Sequence, residues 1–238
     1  MDKIDNELID PIVEPGGEKA HRVARVMIGA VPILGGAGVE IFNSVIDTPM
    51  NRRKVQWMNQ VGNALNDLIE KNVLTEQGLQ HNETFITTVA QASMLAIRCH
   101  QQEKLEALCN AVLNVAVGHD PEEDLRQLFL NFIDVCTVTH IRLLSLMSGP
   151  EEWGQKHGVE FPNGWSMGGI TQAIEHAFPD LRGKEQIYKV IWGDLYQRGL
   201  INTESLGTTM SRQGILTRRT TELGSKLIGF LSEPLELK

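Results

Sequence analysis

Cysteine is scarce in this 238-residue chain: Cys99, Cys109 and Cys136 are the whole set. An odd, widely spaced set without a CxxC pair excludes a disulfide framework and reads as reduced thiols in a cytosol. Aromatic residues make up only 5%, while Leu, Ile, Val, Ala and Met are plentiful. That balance argues against a β-sandwich and for helices packed on helices. Positive charge is lacking too. The formal net charge is −8, which excludes the strongly basic body of a dedicated nucleic-acid binder. The first fifteen residues, MDKIDNELIDPIVEP, are acidic and lack the apolar run of a secretory leader. A cytoplasmic protein is therefore expected.

The charge that is present is unevenly spread. Residues 1–136 hold 11 Lys and Arg against 19 Asp and Glu, whereas residues 137–238 hold 11 of each. The N-terminal part should repel nucleic acid and the C-terminal part is permissive. A division follows into an acidic arm (1–17) ending in Pro15-Gly16-Gly17, a helical bundle (18–136) and a C-terminal domain (137–238). The length is ample for real cores.

In the bundle, a helix is expected from Glu18 to Ala30, stopped by Pro32, and a short one from Ala37 to Ile46. Thr48-Pro49 reads as a cap and first position, starting a helix from Pro49 to about Lys71 with Met58, Val61, Leu65 and Leu68 on one seam. Residues 72–82 read as a loop. Glu83 to His100 is apolar on most sides, which predicts a central helix. Gln101 to Val117 follows. In DPEEDL (120–125), Asp120 is the expected cap, ahead of a helix carrying Leu125, Leu128, Phe129, Phe132 and Ile133.

In the C-terminal domain, Thr137 starts an apolar helix. Residues 148–166 read as a loop. GGITQAIEHAF (168–178) and KEQIYKVIWGDLYQRG (184–199) read as helices. LGTTM (206–210) and GILTRRT (214–220) are expected to form a hairpin around Ser211-Arg212-Gln213, and Thr221 to cap a last helix, Glu222 to Leu231.

The order helix, helix, DLYQRGLI, hairpin, RRTTELGSKLIGFL resembles a winged helix-turn-helix domain, carried by Leu195, Arg198-Gly199-Leu200-Ile201, Thr221 and Leu223-Gly224. The loop at 148–166 is longer than that pattern has. The middle of the chain, EKLEALCNAVLN (103–114) and DLRQLFLNFIDVCTVTHIRLL (124–144), is similar to an uncharacterised group of bacterial helical proteins. The expected fold class is mainly α: a helical bundle followed by a winged helix-turn-helix domain with a small β-hairpin.

No residue pattern announces catalysis. VMIGAVPILGGAGVEIFNSVI (26–46) concentrates Gly29, Gly35, Gly36 and Gly38, but a phosphate loop needs Lys-Ser or Lys-Thr after its glycines. Here an acid, Glu40, follows. A membrane span needs about 20 apolar residues, and Pro32, the glycine pair and Glu40 interrupt this one. The segment reads as a hairpin packed through small residues, with Val26, Ile28, Ile33, Leu34, Val39 and Phe42 as contacts to a membrane or partner in the alternative. Cys99 with His100, and Cys136 with His140, lack the two close ligand pairs of a zinc site and read as structural. No metal, cofactor or catalytic residue is expected.

Lys184, Gln186 and Lys189 are expected to face outward from the third helix of the C-terminal domain. Arg212, Arg218 and Arg219 are expected on or beside the wing, where such residues touch DNA phosphates or a protein partner. The expected function is a non-catalytic bacterial regulator or adaptor that binds protein or itself. A DNA-binding regulator and a membrane-associating effector using residues 23–46 are the alternatives.

Overall fold

The computed structural model describes residues 36–234, with side chains described from residue 49 onward. The expected Glu18–Ala30 helix lies outside the described residues. Among those described, eleven α-helices and one two-stranded sheet make the protein mainly α. The chain divides into two compact units, Met1–His119 and Asp120–Lys238.

In the first unit, α1 (Gly36–Glu70) is one continuous helix with Pro49 inside it. The expected break at Thr48-Pro49 does not occur. Proline removes one i→i−4 hydrogen bond, but the seam beyond it anchors the helix: Trp57, Val61, Leu65, Leu68 and Ile69 are buried, and Met58 is half-buried. The stretch read as a loop contains α2 (Glu76–Gln80), capped by Thr75, whose Oγ1 accepts from the Gly78 N–H. α3 (Glu83–Arg98) packs against α1 and against α4 (Gln102–Ala116). Asn82 Oδ1 caps α3 by accepting from Phe85 N–H at 2.9 Å.

The central helix of this unit is α4, not α3. Every residue of α4 from Ala111 to Ala116 is buried. α3 buries only the face carrying Phe85, Thr88, Ala92 and Ala96. Sequence made α3 the more central because its outer positions are apolar as well.

The second unit opens with α5 (Glu123–Val135) and α6 (Val138–Met147). Asp120 does not cap α5. Both its oxygens accept from Arg126 Nη1 at 2.8 Å, and the Arg126 side chain is buried. A buried guanidinium holds the carboxylate more firmly than an exposed helix start would. α5 falls in this unit rather than with the bundle because its aromatic face is used here. Phe129 meets Phe230, and Phe132 meets His140 edge-on. Leu128, expected on that seam, is 58% exposed; Leu130 is buried instead.

Residues 148–166 are not simply a loop. α7 (Pro150–His157) has Pro150 in its first turn, Glu151 and Glu152 near its positive end, and Gly158 at φ 66° closing it. These are ordinary start and stop signals. Then come β1 (Met167–Gly168), α8 (Ile170–Ala177), a 3₁₀ turn (Pro179–Leu181) and α9 (Glu185–Gln197). Gly199, at φ 70°, ends α9, and Leu200 N–H reaches back to Leu195 O.

The expected hairpin around Ser211-Arg212-Gln213 does not form. β2 (Met210–Ser211) pairs antiparallel with β1, and α10 (Arg212–Ile215) begins at once. Ser211 Oγ accepts from Gly214 N–H, a local cap that wins over extension. Ile201 and Thr220 make a single antiparallel bridge. α11 (Glu222–Leu231) starts as expected: Thr221 Oγ1 accepts from Gly224 N–H and donates to Gly199 O.

Candidate functional site

Lys184, α9 and the chain that follows hold the contact residues expected in the second unit. Tyr188, Ile191, Trp192 and Leu195 form the buried seam of α9 and aim its other faces outward. Two buried polar tips fix the helix. Trp192 Nε1 donates to Thr203 O at 2.8 Å, and Tyr188 OH donates to Glu175 Oε1 at 2.8 Å. Burial, reinforced by Glu175, pushes the Tyr188 phenol well above its ordinary value.

Lys184, Gln186 and Lys189 are exposed. Lys189 pairs with Glu185 at 2.9 Å. Two exposed apolar residues, Ile187 at 57% and Val190 at 75%, lie on the same helix. Neither was singled out from sequence. Both fall off the i, i+3, i+4, i+7 seam set by Tyr188, Ile191, Trp192 and Leu195, so a helical projection finds them.

The three arginines are occupied inside the unit. Arg212 Nη1 donates to Glu151 Oε1 at 3.0 Å, and its Nε donates to Pro162 O at 3.1 Å. Arg218 donates from Nε to Thr220 Oγ1 at 2.9 Å and from Nη2 to Ser225 Oγ. Arg219 Nη2 donates to Gly214 O at 2.6 Å, and its Nη1 reaches Thr203 Oγ1 at 3.4 Å. Arg212 and Arg219 are half-buried; Arg218 is exposed. Arg212 opens α10 and Arg218 and Arg219 follow it, with their donors turned to the unit's own groups rather than set in one outward row.

A second polar cluster joins α6 to α9. Thr137 N–H donates to His140 Nδ1 at 3.0 Å, and His140 Nε2 lies 3.2 Å from Asp194 Oδ2. With Nδ1 accepting, the ring proton sits on Nε2, within ion-pair distance of Asp194. Arg198 Nε donates to the same Asp194 oxygen at 2.7 Å, and its guanidinium lies over the Phe132 ring. This arrangement caps α6 and docks α9. Cys136 Sγ turns away to Ile133 O at 3.5 Å. Cys136 and His140 therefore do not converge.

In the first unit, Cys109 is buried and Cys99 half-buried. Burial, with Glu106 nearby, pushes the Cys109 thiol up to about 11. Among the described residues, no group of three or more His, Cys, Asp or Glu could hold a metal ion, and no helix is long and apolar enough to cross a membrane. Val26, Ile28, Ile33 and Leu34 lie outside the described residues; Val39 and Phe42 lie in α1 without described side chains. No protein-family model, curated protein or solved structure matches the chain.

Proposed function

We propose that this is a non-catalytic bacterial regulator or adaptor, working in the cytoplasm and acting by binding protein, with α9 and the following loop as a winged-helix-like interaction module. One observation carries the choice over DNA. Arg212, Arg218 and Arg219, the cations best placed to meet phosphates, donate to this unit's own carboxylate, hydroxyls and carbonyls. Meanwhile α9 offers Ile187 and Val190 to solvent, with Gln186 and Lys189 beside them. An apolar centre with a polar rim suits a protein partner, whereas phosphate binding wants unspent cations.

The test compares two variants of the full chain. Val190→Asp should abolish recovery of a specific partner in pull-down while leaving circular dichroism unchanged. The triple change of Arg212, Arg218 and Arg219 to Ala should leave the slope of weak duplex-DNA binding against salt unaltered. Each phosphate contact contributes about 0.9 to that slope, so a slope flattened by about two to three units would overturn the reading. So would tight, sequence-selective DNA binding by the wild type.

A further inference from the structure

The solvent face of α3 has an unusual composition. Its exposed residues are Glu83, Ile86, Thr87, Ala90, Met94 and Arg98. They step by three and four, so they share one side of the helix. No residue of α3 between Glu83 and Arg98 is charged. Ile86 and Met94 are 44% and 53% exposed. The water-facing side of a helix ordinarily carries its charged residues. The helix dipole accounts for an acid first and a base last, but not for an uncharged strip between them in which Thr87 is the one polar side chain.

That strip is complementary to itself. At about 1.5 Å per residue, the two charged ends lie about 22 Å apart. Turning the helix end for end sets Glu83 near Arg98 twice and Ile86 near Met94 twice. Ala90, the smallest side chain on the face, falls near the axis. Contacts in which one residue meets another and the reverse also holds are the signature of a twofold interface.

We infer that α3 pairs antiparallel with α3 of a second copy of this chain, about a twofold axis near Ala90. Ala90 lets the two backbones approach. Ile86 of each copy packs on Met94 of the other, and the charge pairs at the two ends fix the register and reject the parallel arrangement. Arg98 already has an interaction within its own chain. A guanidinium carries five N–H donors, so it can take a second carboxylate without giving up the first partner. One helix face is smaller than the roughly 800 Å² per partner of a standard interface. The association is therefore weak and concentration-dependent. It involves the first unit and does not depend on the function proposed for the second.

Sedimentation velocity on the full chain, across the micromolar range, tests this. The wild type should move from monomer towards dimer as concentration rises. Met94→Glu and Ala90→Arg, both at exposed positions, should remain monomeric with unchanged circular dichroism. Glu83→Arg and Arg98→Glu should each weaken pairing about tenfold, and an equimolar mixture of those two should recover it, because each copy then offers the other its opposite charge. If Arg98→Glu does not fold, Glu83→Arg and Ala90→Arg still decide the matter. A wild type that stays monomeric, or Met94→Glu and Ala90→Arg chains that still dimerise, would overturn the inference. So would a monomeric wild type that co-sediments with anionic vesicles and loses this with Met94→Glu, which would give the face to a membrane. A monomer destabilised by Met94→Glu would give the face to this chain's own residues and would overturn the inference equally.

Discussion

The two units hold themselves together by different means. In the first, long helices lie along an apolar seam, Trp57, Val61, Leu65 and Leu68 against the buried length of α4, with Trp57 Nε1 to Ser93 Oγ as a polar tie. In the second, helices of four to thirteen residues are pinned by side chains that cross between elements. Arg142 to Asp180, Arg212 to Glu151 and Tyr188 to Glu175 are examples. Isolated helices shorter than about 12 residues are marginal in water, so the second unit needs such ties to fix its loops. Arginines used in that way have fewer N–H donors left for a ligand.

The largest effect should come from the apolar core that even the tied unit retains. Phe132→Ala should destabilise by about 3–5 kcal/mol, since Phe132 is 4% exposed between α5, His140 and Arg198. Leu128→Ala, four residues earlier, should stay within about 0.5 kcal/mol. Urea unfolding reads both. Equal costs would mean that the aromatic face of α5 is not what joins it to the second unit. Next comes Asp120→Asn, which leaves the buried Arg126 guanidinium without a carboxylate. A loss of about 1–3 kcal/mol follows from stranding such a group. An unchanged midpoint would show that the tie is ornamental.

Smaller effects of opposite sign are expected at two glycines. A Cβ at Gly224 would run into the backbone carbonyl of Leu200, so Gly224→Ala should cost about 1–3 kcal/mol. Nothing lies within 4 Å of a Cβ at Gly193, so Gly193→Ala should stabilise α9 by about 0.5–1 kcal/mol. A neutral Gly224→Ala would mean α11 sits less closely on Leu200 than the structure has it.

Legibility depended on how far along the chain the deciding contacts reach. Where one period ran long, sequence placed the elements well: the seam of α1 and the extents of α4 and α9 follow from steps of three and four. The cap at Thr221 was equally readable, because a hydroxyl and the N–H three residues on need nothing distant. Failures came where a distant partner competed with a local signal. Asp120 looks like a cap until Arg126 takes it, and Met210-Ser211 looks like one arm of a hairpin until it pairs with β1 while the Ser211 cap turns the chain into α10. α7 and α2 are exceptions, since Pro150, Glu151 and Gly158 announced the one locally and the Thr75 cap the other. Of the candidate site, the exposure of Lys184, Gln186 and Lys189 was legible, and the internal use of Arg212 and Arg219 was not. Their partners lie as far away as Glu151, 61 residues earlier.

The smallest expected effects lie in the pH dependence, and they separate the units by sign. In the second unit, a hydrogen bond from Arg142 holds the Asp180 carboxyl below its ordinary value of 3.8. A lowered folded value means that stability is present above the ordinary value and is lost as pH falls through the folded one. Asp180 is 53% exposed, so the pair contributes less than about 1 kcal/mol. Asp180→Asn should cost that much at neutral pH, and the gap from wild type should close in acid. In the first unit, the Cys109 thiol is raised from 9.0 to about 11. Its contribution is fully present below 9.0 and is lost as pH rises towards about 11. A thiol kept neutral and buried is also a poor nucleophile. With a thiol reagent at about pH 8, below the ordinary thiol value, Cys109 and Cys136 should therefore react only after denaturation, with half-buried Cys99 modified first. Modification of Cys109 at the rate of Cys99 in the folded chain would mean that α4 is not the buried centre of its unit, and the contrast between an apolar first unit and a tied second unit would fail at its strongest point.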